Sequence, residues 1–296
     1  MNLQMSEEMR ELNKIVFDVY NSVLDMDYAR NETIKDTILK LFRYIKTGYI
    51  FELKNAQIQM KKKNIFVETN NEYNKVKIAV YTVSTGKYDK IKEPVFKDSS
   101  IDYYAFTEQN IPEHSAWKRK NIPKELETLT SLEQARYIKT HPHLFFKEYD
   151  YSMFIDGNIR ITCDIKPLVY TVIEMGKNIA IHRHQVRDCI YAEGRAVLAT
   201  GKALSKDVHN QLGKYDREGF PKHYGLFETN IIIRNHNNEE CINIMEDWWN
   251  EMVQWTKRDQ LSFTYALWKN NKGSDYVMSL GNNSRRNPYF IVDSHR

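Results

Sequence analysis

Tyr149-Asp150-Tyr151-Ser152-Met153-Phe154-Ile155-Asp156-Gly157-Asn158 is the stretch on which the fold turns. An apolar run carries a carboxylate to its C-terminal end, and a small residue and a second oxygen donor follow at once. Side chains alternate along a strand, so Asp156 and Asn158 lean toward the same side of the turn that ends it. Two hard oxygen donors at that spacing suit a Mg²⁺ or Mn²⁺ already carrying a diphosphate. Such ions take one or two protein ligands and complete the shell with phosphate and water. The same residues also permit a plain β-hairpin, with Asp156-Gly157 as its turn and Ile159-Arg160-Ile161 as the returning strand.

The surrounding text reads as strand, loop, helix from Lys75 onward. Val76 to Val83 predicts a strand that Ser84-Thr85-Gly86-Lys87 breaks, and Asp102 to Thr107 a second. A helix is predicted from about Lys124 to Thr140, then the strand Ser152 to Ile155, a helix over Lys166 to Met175 and a strand over Asn178 to His182. Val186 to Leu198 reads as helix, Leu226 to Arg234 as strand, and Cys241 to Trp255 and Asp259 to Trp268 as helices. Strands separated by helices imply a mostly parallel sheet covered on both faces, an α/β fold of Rossmann type. Ligands of such sheets bind beyond the C-terminal strand ends. Thr82, Ser84, Thr107, Asp156 and His182 all fall near predicted ends.

Residues 1–73 read differently. Leu12, Ile15, Val16, Val19 and Val23 recur at helical spacing, as do Ile34, Ile38, Leu41, Phe42 and Ile45. This predicts an N-terminal helical appendage before a domain over 74–296. The appendage suits packing or homodimer contact, and its basic residues Lys40, Arg43, Lys46 and Lys54 suit peripheral contact with anionic lipid. The net charge of +4 on 296 residues is too mild to argue for nucleic acid. Three cysteines without zinc spacing point to a reducing compartment. Met1 to Glu8 lacks the basic and apolar regions of a signal peptide. No run reaches the roughly 20 apolar residues of a membrane span. The expected location is cytoplasmic, with contact at the inner face of the membrane allowed.

Several residues carry chemistry. Arg136 and Lys139 are three apart, hence on one helix face, and two cations there suit a diphosphate clamp; an ordinary solvated face is the alternative. His182 or His184 suits contact with an acceptor hydroxyl, whereas Arg187 and Glu193 fit either a role beside them or a surface network. No further Cys or His completes a zinc set around His182 and His184. Gly225-Leu226-Phe227-Glu228-Thr229-Asn230 sets polar groups at the mouth of an apolar strand. Asp259, in Arg258-Asp259-Gln260-Leu261, stands where a helix N-cap is expected, and near a sugar it would also accept a proton. Trp248, Trp249, Trp255 and Trp268 read mostly as core, with room for one to stack on a sugar.

In order, Ile78-Ala79-Val80-Tyr81-Thr82 with Gly86, Tyr88 and Asp89, then Asp102 to Thr107, Trp117-Lys118, Arg136, Lys139, Pro142-His143 and Phe146 form one ordered set. Tyr149 to Ser152, Ile155 to Asn158, His182, Arg187, Cys189, Tyr191 and Glu193 continue it. Gly225-Leu226 with Glu228 and Asn230, Trp248-Trp249 and Arg258 to Phe263 complete it. Over about 76–270 this resembles the glycosyltransferase family found in bacterial surface-polysaccharide clusters and in plant proteins linked to seed mucilage and turgor regulation. The resemblance implies a GT-A fold, a nucleotide-sugar donor and usually Mn²⁺ or Mg²⁺. The arrangement is also similar to glycogenin-like galactosyltransferases, which would make His295 a third metal ligand beside Asp156 and Asn158. The chain departs from the pattern in carrying Asn158 rather than a second aspartate, which lowers the charge offered to a metal.

The function expected is transfer of a sugar from a nucleotide diphosphate to a glycan or lipid-linked glycan in surface-polysaccharide synthesis. Thr82, Ser84, Gly86, Tyr88 and Thr107 would border the donor, with Arg136, Lys139 and Asp156 at its diphosphate. His182, Arg187, Asn230 and Gln260 would face sugar or acceptor. Asp259 is the first choice for general base or sugar-positioning group and Glu228 the second. A sugar-nucleotide nucleotidyltransferase is an alternative, weakened because Ser84-Thr85-Gly86-Lys87 is short and poor in glycine for a phosphate loop. A lipid amide hydrolase is weaker still, for want of a histidine triad. A non-catalytic nucleotide-sugar-binding scaffold of the same fold is kept open by Asn158.

Overall fold

Period-two alternation gives the first strand, β1 (Ile78–Ser84), two buried faces. Ala79 and Tyr81 enter one core, and Ile78 and Val80 the other. The computed structural model describes residues 75–86, 89–281, 284–285, 287 and 289–293. The helical reading of 1–73, its lipid or dimer contact, and the expectations for Tyr88 and His295 lie outside the described residues.

The strands that follow are β2 (Asp102–Thr107), β3 (Trp117–Lys120), β4 (Tyr151–Ile155), β5 (Ile159–Ile161), β6 (Ile179–Arg183), β7 (Phe227–Arg234), β8 (Met278–Ser279) and β9 (Phe290–Val292). Seven of them form one sheet in the order β3-β2-β1-β4-β7-β6-β8. All pairings are parallel except those of β7, which runs against both β4 and β6. The α/β class and the mostly parallel sheet are therefore as expected.

Seven α-helices accompany the strands among the described residues: α1 (Ser131–Thr140), α2 (Pro142–Phe145), α3 (Lys166–Glu174), α4 (Ile190–Ala199), α5 (Ser205–Arg217), α6 (Glu239–Gln254) and α7 (Phe263–Lys269). One sheet face packs on α1, α6 and α7 through Ile138, Met245, Trp248, Phe263 and Leu267. The other packs on Ile165, Val169 and Val172 of the α3 region and on Ile159, Ile161 and Phe290 of the separate β5–β9 pair. No described helix is long and apolar enough to cross a membrane.

The structure corrects several boundaries. The hairpin reading of Asp156-Gly157 fails, because β4 pairs with β1 and β7 while β5 pairs with β9. The helix expected from Lys124 splits into a 3-10 turn (Lys124–Leu126) and α1, since Thr130 and Glu133 form a capping box that starts α1. The helix expected from Val186 starts at Ile190, because Nδ1 of His184 accepts the N–H groups of Val186 and Arg187 at 3.2 and 3.0 Å and holds a loop. The helix expected from Asp259 is a 3-10 turn (Asp259–Leu261) followed by α7. β5 is the strand that the hairpin reading expected, with a different partner, whereas β3, β8, β9, α2 and α5 have no counterpart in the sequence reading.

Candidate active site

The site grows from the C-terminal end of β4. Backbone N–H of Asp156 donates to the carbonyl of Asn230 on β7 at 2.9 Å, which fixes the residue at the sheet edge. Ile159 N–H then closes a turn onto the Asp156 carbonyl at 2.9 Å. Gly157 allows a close neighbour there: a Cβ on it would stand 3.4 Å from Cβ of Asp89. The loop holding Asp89 is tied down in turn. Its carbonyl accepts from Ser84 Oγ at 2.6 Å and from Gln109 Nε2 at 2.6 Å. Thr107 Oγ1 accepts the Gln109 N–H at 3.1 Å, so the ends of β1 and β2 share one polar frame with the Asp156 turn.

Helix α1 delivers the cations. Arg136 Nη1 and Lys139 Nζ both donate to Oδ2 of Asp259 at 2.7 Å, and Lys139 Nζ stands 3.8 Å from Oδ1 of Asp156. The Lys139 side chain is 1 % exposed, while that of Asp156 is 35 % exposed. The Lys139 ammonium also lies 4.7 Å from the ring centroid of Phe154 and 5.7 Å from that of Trp248. Its backbone carbonyl accepts from Tyr81 Oη and from Nη1 of the buried Arg234, each at 2.8 Å. Trp248 Nε1 donates to the Asp259 carbonyl at 2.9 Å, pinning the far side.

These contacts fix the charges. Burial opposes ionisation of Asp259, but Arg136 and Lys139 outweigh it and hold its carboxyl far below the usual range. Burial likewise lowers the Lys139 ammonium, against the pull of Asp259 and Asp156. Asp259 therefore does not act as a helix cap; it is the buried counter-ion of two cations.

A second polar group lies along β7. Glu228 stands opposite His182 across β6 and β7, and its Oε2 accepts the Ser284 N–H at 2.9 Å. Asn230 Nδ2 donates to Ser284 Oγ at 2.8 Å, leaving its buried Oδ1 without a partner. Burial raises Glu228 and pushes His182 down to about 3, so His182 is neutral at pH 7. Its Nδ1 is buried without a partner. Asn158 is buried and donates from Nδ2 to the Asp293 carbonyl at 2.7 Å. Asp156, partly exposed, and Asn158, buried, thus stand on either side of Gly157 at this turn. Among the described residues no cluster of three or more His, Cys, Asp or Glu suits a metal.

The remaining expected residues divide. Ser84, Thr107 and Gly86 border the frame, Gly86 with a φ of +62° beside Ser131 of α1. Thr82 is buried within β1 and its hydroxyl has no partner. Gln260 directly follows Asp259, whose Oδ1 accepts its N–H at 3.2 Å. Arg187 Nε donates to Oε2 of the buried Glu193 at 2.6 Å, a pair set into the fold rather than spread over the surface. Gln109 and Arg234 were missed. An arginine closing the apolar run of β7 was a visible signal; Gln109 gave none.

A model of the TOD1/MUCI70 glycosyltransferase-like domain matches residues 116–295. The chain belongs to that family. The TOD1/MUCI70 match starts later than the resemblance read from sequence and runs on through β9. A probable hexosyltransferase, MUCI70 of Arabidopsis thaliana, is 26 % identical over 171 residues, covering 52 % of this chain and 28 % of that protein. The chain thus spans under a third of that relative's length. Among solved structures, the WbbM bifunctional glycosyltransferase in its apo form gives a TM-score of 0.43 at 14 % identity, over 70 % of this chain and 39 % of that one. Core-mannan synthase A of Aspergillus fumigatus, in an Mn/GDP form, gives 0.40 at 10 % identity, over 65 % and 69 %. Scores of this size mark a loose likeness.

Proposed function

We propose that this chain is a GT-A-type hexosyltransferase that moves a sugar from a nucleoside diphosphate to a glycan, in surface-polysaccharide synthesis. The observation carrying this reading is the cluster of Arg136, Lys139, Asp156 and Asp259 at the C-terminal end of β4. A fixed ammonium beside an open carboxylate is suited to a diphosphate that gains charge as its sugar leaves. A bound Mn²⁺ or Mg²⁺, held by the partly exposed Asp156 with Asn158 beside it, would supply further positive charge to that leaving group.

Asp259 stays ionised beneath two cations, which makes it a weak base and suits it to hold a donor-sugar hydroxyl and to orient Arg136 and Lys139. Glu228, whose carboxyl burial raises, is the better proton acceptor of the two. Thr107 also lines a hollow of about 370 Å³ with Arg119, Asn121 and Gln134, which has room for the nucleoside end.

Titration calorimetry with UDP- and GDP-sugars, with and without Mn²⁺, tests the reading. Binding of at least one donor, strengthened by metal, is the expected result. Failure of every nucleotide sugar to bind the full chain overturns it. Binding without transfer or hydrolysis in the presence of a broad acceptor set favours the scaffold reading that Asn158 raised.

A further inference from the structure

A hollow of about 710 Å³ lies between α5, α7 and the segment leading into β7. Its walls include Tyr224, Tyr265 and Trp268, with Lys214, Glu218 and Lys269 at its rim. We propose that this hollow is a second carbohydrate site, which holds a neutral sugar unit of the acceptor glycan away from the point of transfer.

Charge decides the ligand class. Lys214 Nζ is 2.8 Å from Glu251 Oε1 and 3.7 Å from Glu218 Oε1, and Lys269 Nζ is 2.6 Å from Asp247 Oδ1. Both ammonium groups are already balanced, so neither is left over for a phosphate or uronate. What remains is the part-exposed Tyr224 and Trp268, backed by the buried Tyr265 and edged by paired polar groups. The C–H faces of a pyranose carry slight positive charge and lie well on the negative face of an aromatic ring, while edge groups exchange hydrogen bonds with hydroxyls.

The wall is rigid. Tyr265 stacks on Tyr215 of α5 with centroids 3.7 Å apart and planes 12° apart, and its hydroxyl bonds to Glu218 and Lys214. Trp268 packs edge-on against Phe220 at 5.6 Å and stays half-buried. Its indole N–H donates to no acceptor among the described residues, leaving it for a hydroxyl. Tyr224 is fixed by its bond to the Lys272 carbonyl at 3.1 Å. Next to it, Gly225 has a φ of +106° and comes so close to the segment after α7 that a Cβ would meet Ser274 Cβ at 3.0 Å.

Placement ties the hollow to the candidate active site. Tyr224 precedes the N-terminal end of β7, and that end lies at the same sheet edge as Asp156 because β7 is antiparallel to β4. Trp268 stands on the helix that follows the Asp259 turn. A glycan with one unit in the hollow would run along this edge, which gives a chain-extending enzyme a second hold on a long acceptor. The acceptor assignment rests on the transferase reading; binding of a neutral glycan in the hollow does not.

The test is an array of neutral and uronate-containing oligosaccharides, probed with the full chain, followed by calorimetry on the tightest binder. Neutral oligosaccharides should bind. Trp268→Ala and Tyr224→Ala should each weaken binding about tenfold or more, and Trp268→Phe should restore most of it. Affinity for UDP- or GDP-sugars should stay unchanged in all three variants. Retention of no neutral glycan by the wild type overturns the proposal, as does full affinity in both alanine variants or binding confined to uronates. Intact glycan binding with no donor binding by the wild type would fell the transferase reading and leave this site standing.

Discussion

Replacing Asp259 by asparagine tests the electrostatic heart of the site. Its Oδ2 is the shared acceptor of Arg136 Nη1 and Lys139 Nζ, both at 2.7 Å. The amide keeps the shape but not the charge, so two cations lose their counter-ion, one of them with a side chain only 1 % exposed. Breaking a buried pair from one side costs about 3–5 kcal/mol. Asp156 remains 3.8 Å from Lys139 and offsets part of this. We therefore expect the lower end, about 3 kcal/mol, which for a domain of this size lowers Tm by about 6–12 °C.

The pH dependence supplies a second reading of the same charge. The folded-state pKa of Asp259 is depressed, so its stabilisation is complete above the unfolded value and drains away as pH falls toward the folded one. With an unfolded pKa of about 3.9, the wild type should lose roughly 1.2 kcal/mol relative to Asp259→Asn between pH 5 and pH 3. Denaturant melts across that range measure it. The double variant Lys139→Met, Asp259→Asn should recover part of the loss, since it no longer buries an unpaired ammonium. A Tm drop under about 2 °C at neutral pH, or a gap that stays constant down to pH 3, would refute the buried-pair reasoning.

Three further outcomes follow from particular contacts. Asp156→Ala, at a side chain 35 % exposed, should leave Tm within about 2 °C yet lower Mn²⁺-dependent donor affinity at least about tenfold by calorimetry; unchanged affinity would make the turn purely structural. Thr82→Val removes a buried hydroxyl without a partner, so urea melts should show no loss and up to about 1 kcal/mol of gain; a clear loss would reveal a partner for that oxygen. Gly86→Ala places a Cβ 2.9 Å from Ser131 Oγ at a φ of +62° and should cost about 1–3 kcal/mol in the same assay. A neutral result there would mean that the loop can leave the α1 N-terminus without penalty.

What the sequence disclosed and what it hid have separate physical causes. β2 was bounded to the residue because its alternation is local and its ends are polar, and β4 and β7 were right at their C-terminal ends and one residue off at their starts. Arg136 and Lys139 could be placed on one helix face from spacing alone, and they do act together. Spacing could not say that their partner is a carboxylate 120 residues away from Lys139, because that contact depends on α6 and the Asp259 turn packing over the sheet. The same limit left Asp259 between helix cap and catalytic carboxylate, because the local rule could not show the tertiary charge balance with Arg136 and Lys139. It also left the Asp156 turn open between hairpin and site, since the choice hangs on whether Ile159 to Ile161 pairs backward to β4 or across to β9, at the far end of the chain. Once β9 takes that strand, the turn no longer folds back on β4, and the carboxylate at its start lies partly exposed beside Lys139. The exposure of Asp156 thus depends on a long-range strand pairing, and if Asp156 binds the donor as proposed, disrupting β9 should lower donor affinity in calorimetry.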